Sequence, residues 1–147
     1  MIDTCYDALG RPIKKLFRSP ALTTSSCASI TSGTAPETSS DYDLAGRPTH
    51  VRFASRTGYG VDYAYDTAGR VTSETTSDAS ASRALSFQYD AAGNRTRVTW
   101  PDSFYAGYVY DPLNRVATIN ENGATSGAGV LATYSYDDLG RRTACTN

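Results

Sequence analysis

The sequence is poor in the residues that most often carry out chemistry. It has one histidine, His50, and its three cysteines, Cys5, Cys27 and Cys145, stand far apart and form no CxxC pair. Metal centres need closely spaced ligands, so we interpret the cysteines as small, half-buried residues and expect no metal site and no cofactor. We expect the lone histidine to face solvent or to serve the structure, because no G-x-S-x-G segment accompanies it.

Charge and long apolar runs are also scarce. Charged residues make up 20% of the chain and the formal net charge is −1, which argues against the basic surface of a nucleic-acid-binding protein. No apolar segment approaches the ~18 residues of a membrane helix, and the opening residues lack the charged and apolar parts of a signal peptide. We therefore expect no nucleic-acid partner and no membrane span.

Glutamate is rare as well, and its distribution bears on enzymatic activity. The chain has Glu37, Glu74 and Glu121, each in a polar context that predicts a loop. Glycoside hydrolysis requires two carboxyl groups that face one another across the substrate. Nothing in the sequence predicts such a pair, so the chain is not expected to be an enzyme.

Tyrosine, by contrast, is abundant and patterned. The 11 tyrosines and 4 phenylalanines are too many for a disordered linker. The dipeptide Tyr-Asp occurs six times, where composition alone would give roughly one occurrence, so we interpret residues 1–147 as a repeat region. The copies span residues 6–13, 42–49, 65–72, 89–96, 110–117 and 136–143, and their first seven residues read YDALGRP, YDLAGRP, YDTAGRV, YDAAGNR, YDPLNRV and YDDLGRR.

Each copy supplies four residues of a structural motif. A tyrosine and an aspartate come first, a glycine or asparagine stands four residues after the tyrosine, and an arginine follows at the next position or the one after. The predicted motif residues are Tyr6, Asp7, Gly10, Arg11, Tyr42, Asp43, Gly46, Arg47, Tyr65, Asp66, Gly69, Arg70, Tyr89, Asp90, Gly93, Arg95, Tyr110, Asp111, Asn114, Arg115, Tyr136, Asp137, Gly140 and Arg141.

The motif is typical of a tight β-hairpin turn. An aspartate can accept backbone N–H bonds at the start of a turn, and glycine or asparagine tolerates the positive φ that often closes one. Large residues alternate before each turn, as in Val61, Tyr63 and Tyr65, and β-branched residues follow it. We therefore predict an all-β antiparallel meander of hairpins with bulges, in which residues 14–40 form a degenerate or loop-like insertion.

The Y-D-x-x-G-R copies resemble the YD repeats of the RHS (rearrangement hot spot) family. Related repeats occur in the BC component of insecticidal toxin complexes, in bacterial wall-associated polypeptides and in teneurins. The resemblance implies a long β-strip that spirals into a hollow shell. In bacterial members the shell encloses a C-terminal toxin, and autoproteolysis separates the toxin from its carrier. It also implies a secreted or surface-displayed protein that serves contact-dependent killing or insect toxicity.

Six copies are too few to close a shell, so we expect the chain to be a piece of a longer protein or a truncated gene remnant. The expected partners are other RHS repeats and an encapsulated toxin domain. A carbohydrate-binding module is the alternative, in which exposed tyrosines would stack on cell-surface glycans. Period-two aromatic residues are more often the buried face of a sheet.

Aspartates and arginines of the motif also have two interpretations. One carboxylate per turn does not supply the converging oxygens that calcium needs, which favours turn capping for the aspartates. The arginines are expected to reach a carboxylate or carbonyl groups of a neighbouring copy, because a guanidinium makes several bonds at once.

Overall fold

The computed structural model describes residues 2–17, 37–54 and 58–146. These residues form twelve β-strands whose order in the sheet follows the chain. The strands are β1 Ile2–Tyr6, β2 Pro12–Phe17, β3 Glu37–Tyr42, β4 Pro48–Phe53, β5 Gly60–Tyr65, β6 Val71–Ser77, β7 Ser82–Tyr89, β8 Arg95–Thr99, β9 Tyr105–Tyr110, β10 Val116–Glu121, β11 Val130–Tyr136 and β12 Arg142–Thr146. The predicted all-β antiparallel meander is confirmed.

Tight turns at the Tyr-Asp dipeptides alternate with looser connections. At the tyrosine of a hairpin the pairing slips by one residue, for example between Cys5 and Tyr6 and between Asp41 and Tyr42. A slip of this kind is a β-bulge, which increases the twist of the strand beside the turn. Among the looser connections, a short 3-10 turn at Gly127–Gly129 leads into β11.

Two compact units make up the chain, residues 1–69 with 74–83 and residues 70–73 with 84–147. In the first unit β1 to β5 pair in succession, each antiparallel to the next. In the second unit β7 to β12 pair in the same way. Side chains of β11 alternate between half-buried and exposed along its length, as the period-two pattern of a strand requires.

Few side chains are fully covered. The buried apolar residues among those described are Cys5, Leu16, Val98 and Ala106, and no large side chain is completely buried. Val98 lies between Phe87 on β7 and Ala106 on β9, so it forms the centre of a small apolar patch in the second unit. With so little core, the contacts between adjacent strands must contribute much of the stability.

Several expectations about individual residues are corrected. Residues 14–17 and 37–40 of the predicted insertion belong to β2 and β3, and the rest of that segment lies outside the described residues. Glu37 is a buried strand residue rather than a loop residue, because Lys14 on the adjacent strand neutralises it at 2.8 Å. Glu74 and Glu121 also lie in strands.

The cysteines differ from one another. Cys5 is buried and disulfide-bonded, whereas Cys145 is exposed and free. Cys27 lies outside the described residues. The expectation of half-buried thiols was therefore wrong for the two described positions, because spacing along the chain carries no information about which cysteines meet.

Candidate functional site

The Tyr-Asp turn is built around one carboxylate. Oδ1 of Asp7 accepts the backbone N–H groups of Leu9 and Arg11, both at 2.9 Å, and Oδ2 accepts Nε of Arg11 at 2.6 Å. The backbone N–H of Gly10 donates to the Asp7 carbonyl at 3.0 Å. The bonds from the arginine backbone and guanidinium recur at Asp43, Asp111 and Asp137.

These bonds stabilise the ionised form of each turn aspartate. The backbone N–H of the arginine is the largest cause that holds the pKa of Asp7, Asp43, Asp111 and Asp137 below its ordinary value, and the guanidinium lowers it further. Partial burial acts in the opposite direction and is outweighed. The turn therefore depends on a charged carboxylate that accepts backbone N–H groups.

The residue four positions after each tyrosine has a positive φ. Gly69 and Gly93 have φ values of +85° and +94°, and Asn114 has 60° in the copy that lacks glycine. This is the left-handed region, in which side chains with a Cβ are strained and asparagine is the best tolerated exception.

In four of the described hairpins, the guanidinium of the motif arginine lies over a tyrosine ring of the next hairpin in the same unit. The distances from Cζ to the ring centroid are 4.7 Å for Arg11 over Tyr42, 4.4 Å for Arg47 over Tyr65, 4.7 Å for Arg70 over Tyr89 and 4.4 Å for Arg115 over Tyr136. Each distance is within the range of a cation–π contact. Arg70 also donates from Nη1 to the Asp90 carbonyl at 2.9 Å.

The same four tyrosines and Tyr110 return a hydrogen bond to the preceding hairpin. Each hydroxyl donates to the carbonyl of the residue six positions after the preceding motif tyrosine: Tyr42 to Pro12, Tyr65 to Pro48, Tyr89 to Val71, Tyr110 to Arg95 and Tyr136 to Val116, at 2.7 to 2.9 Å. Burial raises the pKa of Tyr65 and Tyr110, so these hydroxyls stay protonated and able to donate.

At Gly69 the absence of a Cβ also makes room for a guanidinium. A Cβ placed on Gly69 would lie 3.3 Å from Nη1 of Arg47, and one placed on Gly46 would lie 3.7 Å from Nη1 of Arg11. Gly140 stands in the same relation to Arg115, at 3.8 Å. A Cβ would therefore crowd the guanidinium at Gly69, whereas the distances at Gly46 and Gly140 are ordinary contacts and a Cβ on Gly93 would meet nothing within 4 Å.

One hairpin departs from this pattern. In the turn of Asp90, the backbone N–H and the side-chain amide of Asn94 donate to the two carboxylate oxygens of Asp90, at 2.8 and 3.0 Å. The amide of Asn94 also donates to Oδ1 of Asn114 in the next turn, at 2.9 Å. Asn94 occupies the place that arginine holds elsewhere, and the sequence motif missed it because arginine is the following residue.

Arg95 lies elsewhere in the sheet than the other motif arginines. Its Cζ is 5.8 Å from the ring centroid of Phe87 and 5.5 Å from that of Tyr108. On β8 and β9, Arg97 lies over Tyr105 at 3.5 Å. Neither position follows from the Tyr-Asp spacing.

A second polar cluster surrounds the lone histidine. Nδ1 of His50 lies 2.5 Å from Oδ1 of Asp62, which is directly opposite on β5, and Arg52 binds the same oxygen. Burial alone would raise the pKa of Asp62, but the bonds from His50 and Arg52 lower it. This cluster joins two adjacent strands and has the character of a structural ion pair.

The described residues provide no obvious metal centre and no membrane helix. No group of three or more His, Cys, Asp or Glu side chains in ranges 2–17, 37–54 and 58–146 is arranged to hold a metal ion. Within those ranges no helix has the length and apolar character needed to cross a membrane.

A meander of bulged Tyr-Asp hairpins, most of them joined to the next through an arginine and a tyrosine, is an RHS/YD-repeat-like fold. The comparison with solved structures leads to toxin complexes. The crystal structure of TcdB2-TccC3-Cdc42 matches with a TM-score of 0.66 and 22% sequence identity over 93% of this chain. The Photorhabdus luminescens Tc holotoxin pore with a TccC3 mutation matches with a TM-score of 0.65 and 21% identity over 94%.

The likeness concerns the fold and a small part of those molecules. This chain spans 7% of the length of each matched chain. No family model and no curated protein matches its sequence.

Proposed function

We propose that this chain is a non-catalytic structural segment of an RHS-type protein, one stretch of a β-strip whose shell encloses and delivers a C-terminal toxin. The whole protein would be secreted or displayed on the surface of a bacterium and would act in competition between bacteria. The partners of this segment would be other repeats of the same or a longer chain and the enclosed toxin domain.

The observation that carries the proposal is the repeated contact between hairpins. An arginine held by its own turn aspartate lies over the ring of the next tyrosine, and that tyrosine donates back to the backbone. Such a contact can be added hairpin after hairpin without a closed core, which suits a strip that is extended by repetition. In this reading the motif residues hold the strip together.

The polar groups of the motif are committed to one another, which disfavours catalysis by them. The carboxylates of Asp43 and Asp111 accept backbone and guanidinium bonds, and their lowered pKa values leave them poor general acids or bases near neutral pH. The carbohydrate-binding alternative is disfavoured by the same geometry. A guanidinium already covers one face of Tyr42, Tyr65, Tyr89 and Tyr136, which leaves a sugar at most one face of each ring for stacking.

The test is the size and protease resistance of the native product. An antibody raised against the 147-residue chain should detect a protein much larger than 15.7 kDa in producing cells. In the purified native protein, limited proteolysis should spare an internal fragment that becomes sensitive only after denaturation. A stable native product of 15.7 kDa with no enclosed fragment would contradict the proposal. Saturable binding of wall polysaccharides by that product would favour the carbohydrate-binding module instead.

A further inference from the structure

Four hairpins carry an aromatic residue two positions before the motif tyrosine. These residues are Tyr63, Phe87, Tyr108 and Tyr134, and all four are half-buried. Side chains two positions apart on a strand share a face of the sheet, so each ring lies on the face of its motif tyrosine. In the two earlier hairpins the same position is held by Thr4 and Ser40, which carry a hydroxyl in place of a ring.

The strand opposite Ser40 is unchanged by this difference. In the hairpins β7–β8 and β9–β10 a branched apolar residue stands directly opposite the ring. The pairs are Phe87 with Val98 and Tyr108 with Ile119. Val51 stands opposite Ser40 in the same way. The apolar partner is thus retained while the ring is replaced by a much smaller side chain, which opens space on this face of the sheet.

A hollow of about 200 Å³ lies beside Ser40. Its walls are formed by Pro12, Lys14, Lys15, Thr38, Ser40 and Val51. The carbonyl of Pro12 accepts the hydroxyl of Tyr42 at 2.9 Å, so the contact between the two hairpins holds one wall in place. Since an apolar cavity of about 150 Å³ is enough to bind benzene, this hollow has room for one aromatic ring and a small substituent.

The walls of the hollow belong to β2, β3 and β4. Each of these strands is paired on both sides, in the succession β1 to β5. Repeats added beyond either end of the chain would therefore lie outside the hollow. Paired strands also leave no row of backbone N–H and C=O groups for an extended peptide to join, which favours a small molecule as the occupant.

Two lysines border the hollow, and they differ in their partners. Lys14 pairs with the buried carboxylate of Glu37 at 2.8 Å. Lys15 stands directly opposite Thr38 and is exposed, and in the part of the chain that the structure describes no carboxylate pairs with it. The hollow thus combines an apolar wall with an uncompensated ammonium group at its margin.

We propose that this hollow binds a small aromatic carboxylate, a single ring that carries an anionic group. The ring occupies the place that an aromatic side chain fills in the four later hairpins, and it packs against Val51. The carboxylate reaches the ammonium group of Lys15 and accepts hydrogen bonds from the hydroxyls of Thr38 and Ser40. Apolar burial of the ring supplies most of the affinity, and the exposed ion pair selects the anion. The proposal depends on the walls of the hollow and stands whether or not the strip belongs to a toxin shell.

Phenylacetate is the probe, and its binding to the 147-residue protein is followed by NMR titration. We expect saturable binding of one phenylacetate per chain. Phenylacetamide, which has the same shape without the charge, should bind about two- to fivefold more weakly, because it loses only an exposed ion pair. Acetate, the anion without the ring, should show no saturable binding. A wild type that does not bind phenylacetate would overturn the proposal.

Ser40→Tyr is the decisive variant, because it supplies the ring that the later hairpins carry. It should fill the hollow and abolish saturable binding of phenylacetate, while circular dichroism shows native strand content. Ser135→Tyr is the matched control, since it adds the same ring at an exposed strand position far along the chain, and it should bind as wild type does. Equal binding by Ser40→Tyr and wild type would mean that the ligand lies elsewhere, and the proposal would be overturned.

Lys15→Met tests the role of the charge separately. Methionine keeps an apolar stem and removes the ammonium group, so affinity for phenylacetate should fall about two- to fivefold while affinity for phenylacetamide stays unchanged. Lys15→Arg should restore the binding of phenylacetate. Unchanged affinity for phenylacetate in Lys15→Met would overturn the assignment of a carboxylate. A peptide with phenylalanine beside aspartate that bound wild type more tightly than phenylacetate would overturn the assignment of a small molecule.

Discussion

The tight turn that Arg47 closes and the tight turn that Asn94 closes contact the next hairpin through different side chains. Arg47 binds Asp43 and extends over the ring of Tyr65 at 4.4 Å. Asn94 also binds its own aspartate, at 3.0 Å, but its short amide reaches only the side chain of Asn114. The side chain at this position therefore has two separate roles: it closes its own turn and it contacts the next hairpin. Asparagine closes the turn as arginine does, but it contacts a different group in the next hairpin.

The difference extends to the next turn. Where arginine bridges, the following turn has glycine, and a Cβ on Gly69 would crowd the guanidinium of Arg47. Where asparagine bridges, the following turn has Asn114, whose side-chain oxygen accepts a hydrogen bond from the amide of Asn94. At these two junctions the residues form matched pairs, Arg47 with Gly69 and Asn94 with Asn114.

The largest expected effect comes from adding a Cβ to the arginine-facing glycine. Gly69→Ala should lower the free energy of unfolding by about 1–2 kcal/mol, because alanine is strained at a φ of +85°, and by a further increment because Nη1 of Arg47 must move. Urea denaturation measures the change.

Gly93 provides the matched control for that increment. Its φ is +94°, and nothing lies within 4 Å of where its Cβ would stand. Gly93→Ala should therefore show the backbone cost alone and a smaller loss than Gly69→Ala. Equal losses at the two sites would mean that the arginine places no demand on the glycine.

A smaller effect is expected when the asparagine pair is converted to the regular pair. Asn94→Arg alone should destabilise the protein, because the new guanidinium meets the side chain of Asn114. Adding Asn114→Gly should recover that loss, with a coupling of about 0.5–1 kcal/mol between the two substitutions. The four proteins of this cycle are compared by urea denaturation, and strictly additive effects would contradict the matched-pair interpretation.

The smallest effect is expected from acid. The pKa of Asp43 is below its ordinary value of 3.8 in the folded protein, so the unfolded chain binds more protons as the pH falls. The stabilising contribution is therefore fully present above about pH 4 and is lost as the pH drops through the lowered pKa.

Asp43→Asn should make the stability less dependent on pH in that acidic range. The measurement is the urea midpoint of wild type and variant from pH 6 down to pH 2.5. At Asp90 the side-chain amide of Asn94 is the largest cause of the lowered pKa, so Asp90→Asn should act in the same direction. Identical pH profiles for wild type and Asp43→Asn would show that the Asp43 carboxylate contributes nothing.

The sequence predicted the fold well because its signals are local and repeated. An aspartate followed three residues later by glycine specifies the turn, and alternating large residues before it specify strands, so Tyr65 and Gly69 could be assigned without any tertiary information. The bulge beside each turn follows from the same local geometry. These features depend on a few neighbouring residues, and those residues are visible in the chain.

The contacts between hairpins were harder to predict from the sequence. Which ring an arginine covers depends on strand register across a connection of variable length, and the motif gave no reason to choose Asn94 over Arg95 as the partner of Asp90. Burial of Glu37 depends on Lys14 across a long insertion, so its polar neighbours in sequence were misleading. The state of Cys5 is likewise a property of tertiary structure.

A double-mutant cycle between Arg47 and Tyr65 tests most directly whether the guanidinium–ring contact joins one hairpin to the next. The free energy of unfolding is measured for wild type, Arg47→Ala, Tyr65→Leu and the double variant at neutral pH. In a control cycle Arg47→Ala is replaced by Arg83→Ala, since Arg83 is an exposed arginine that pairs with Asp78 at 2.7 Å. The cation–π contact predicts a coupling of about 0.5–1 kcal/mol for Arg47 with Tyr65 and none for Arg83. Additive losses in both cycles would contradict the account.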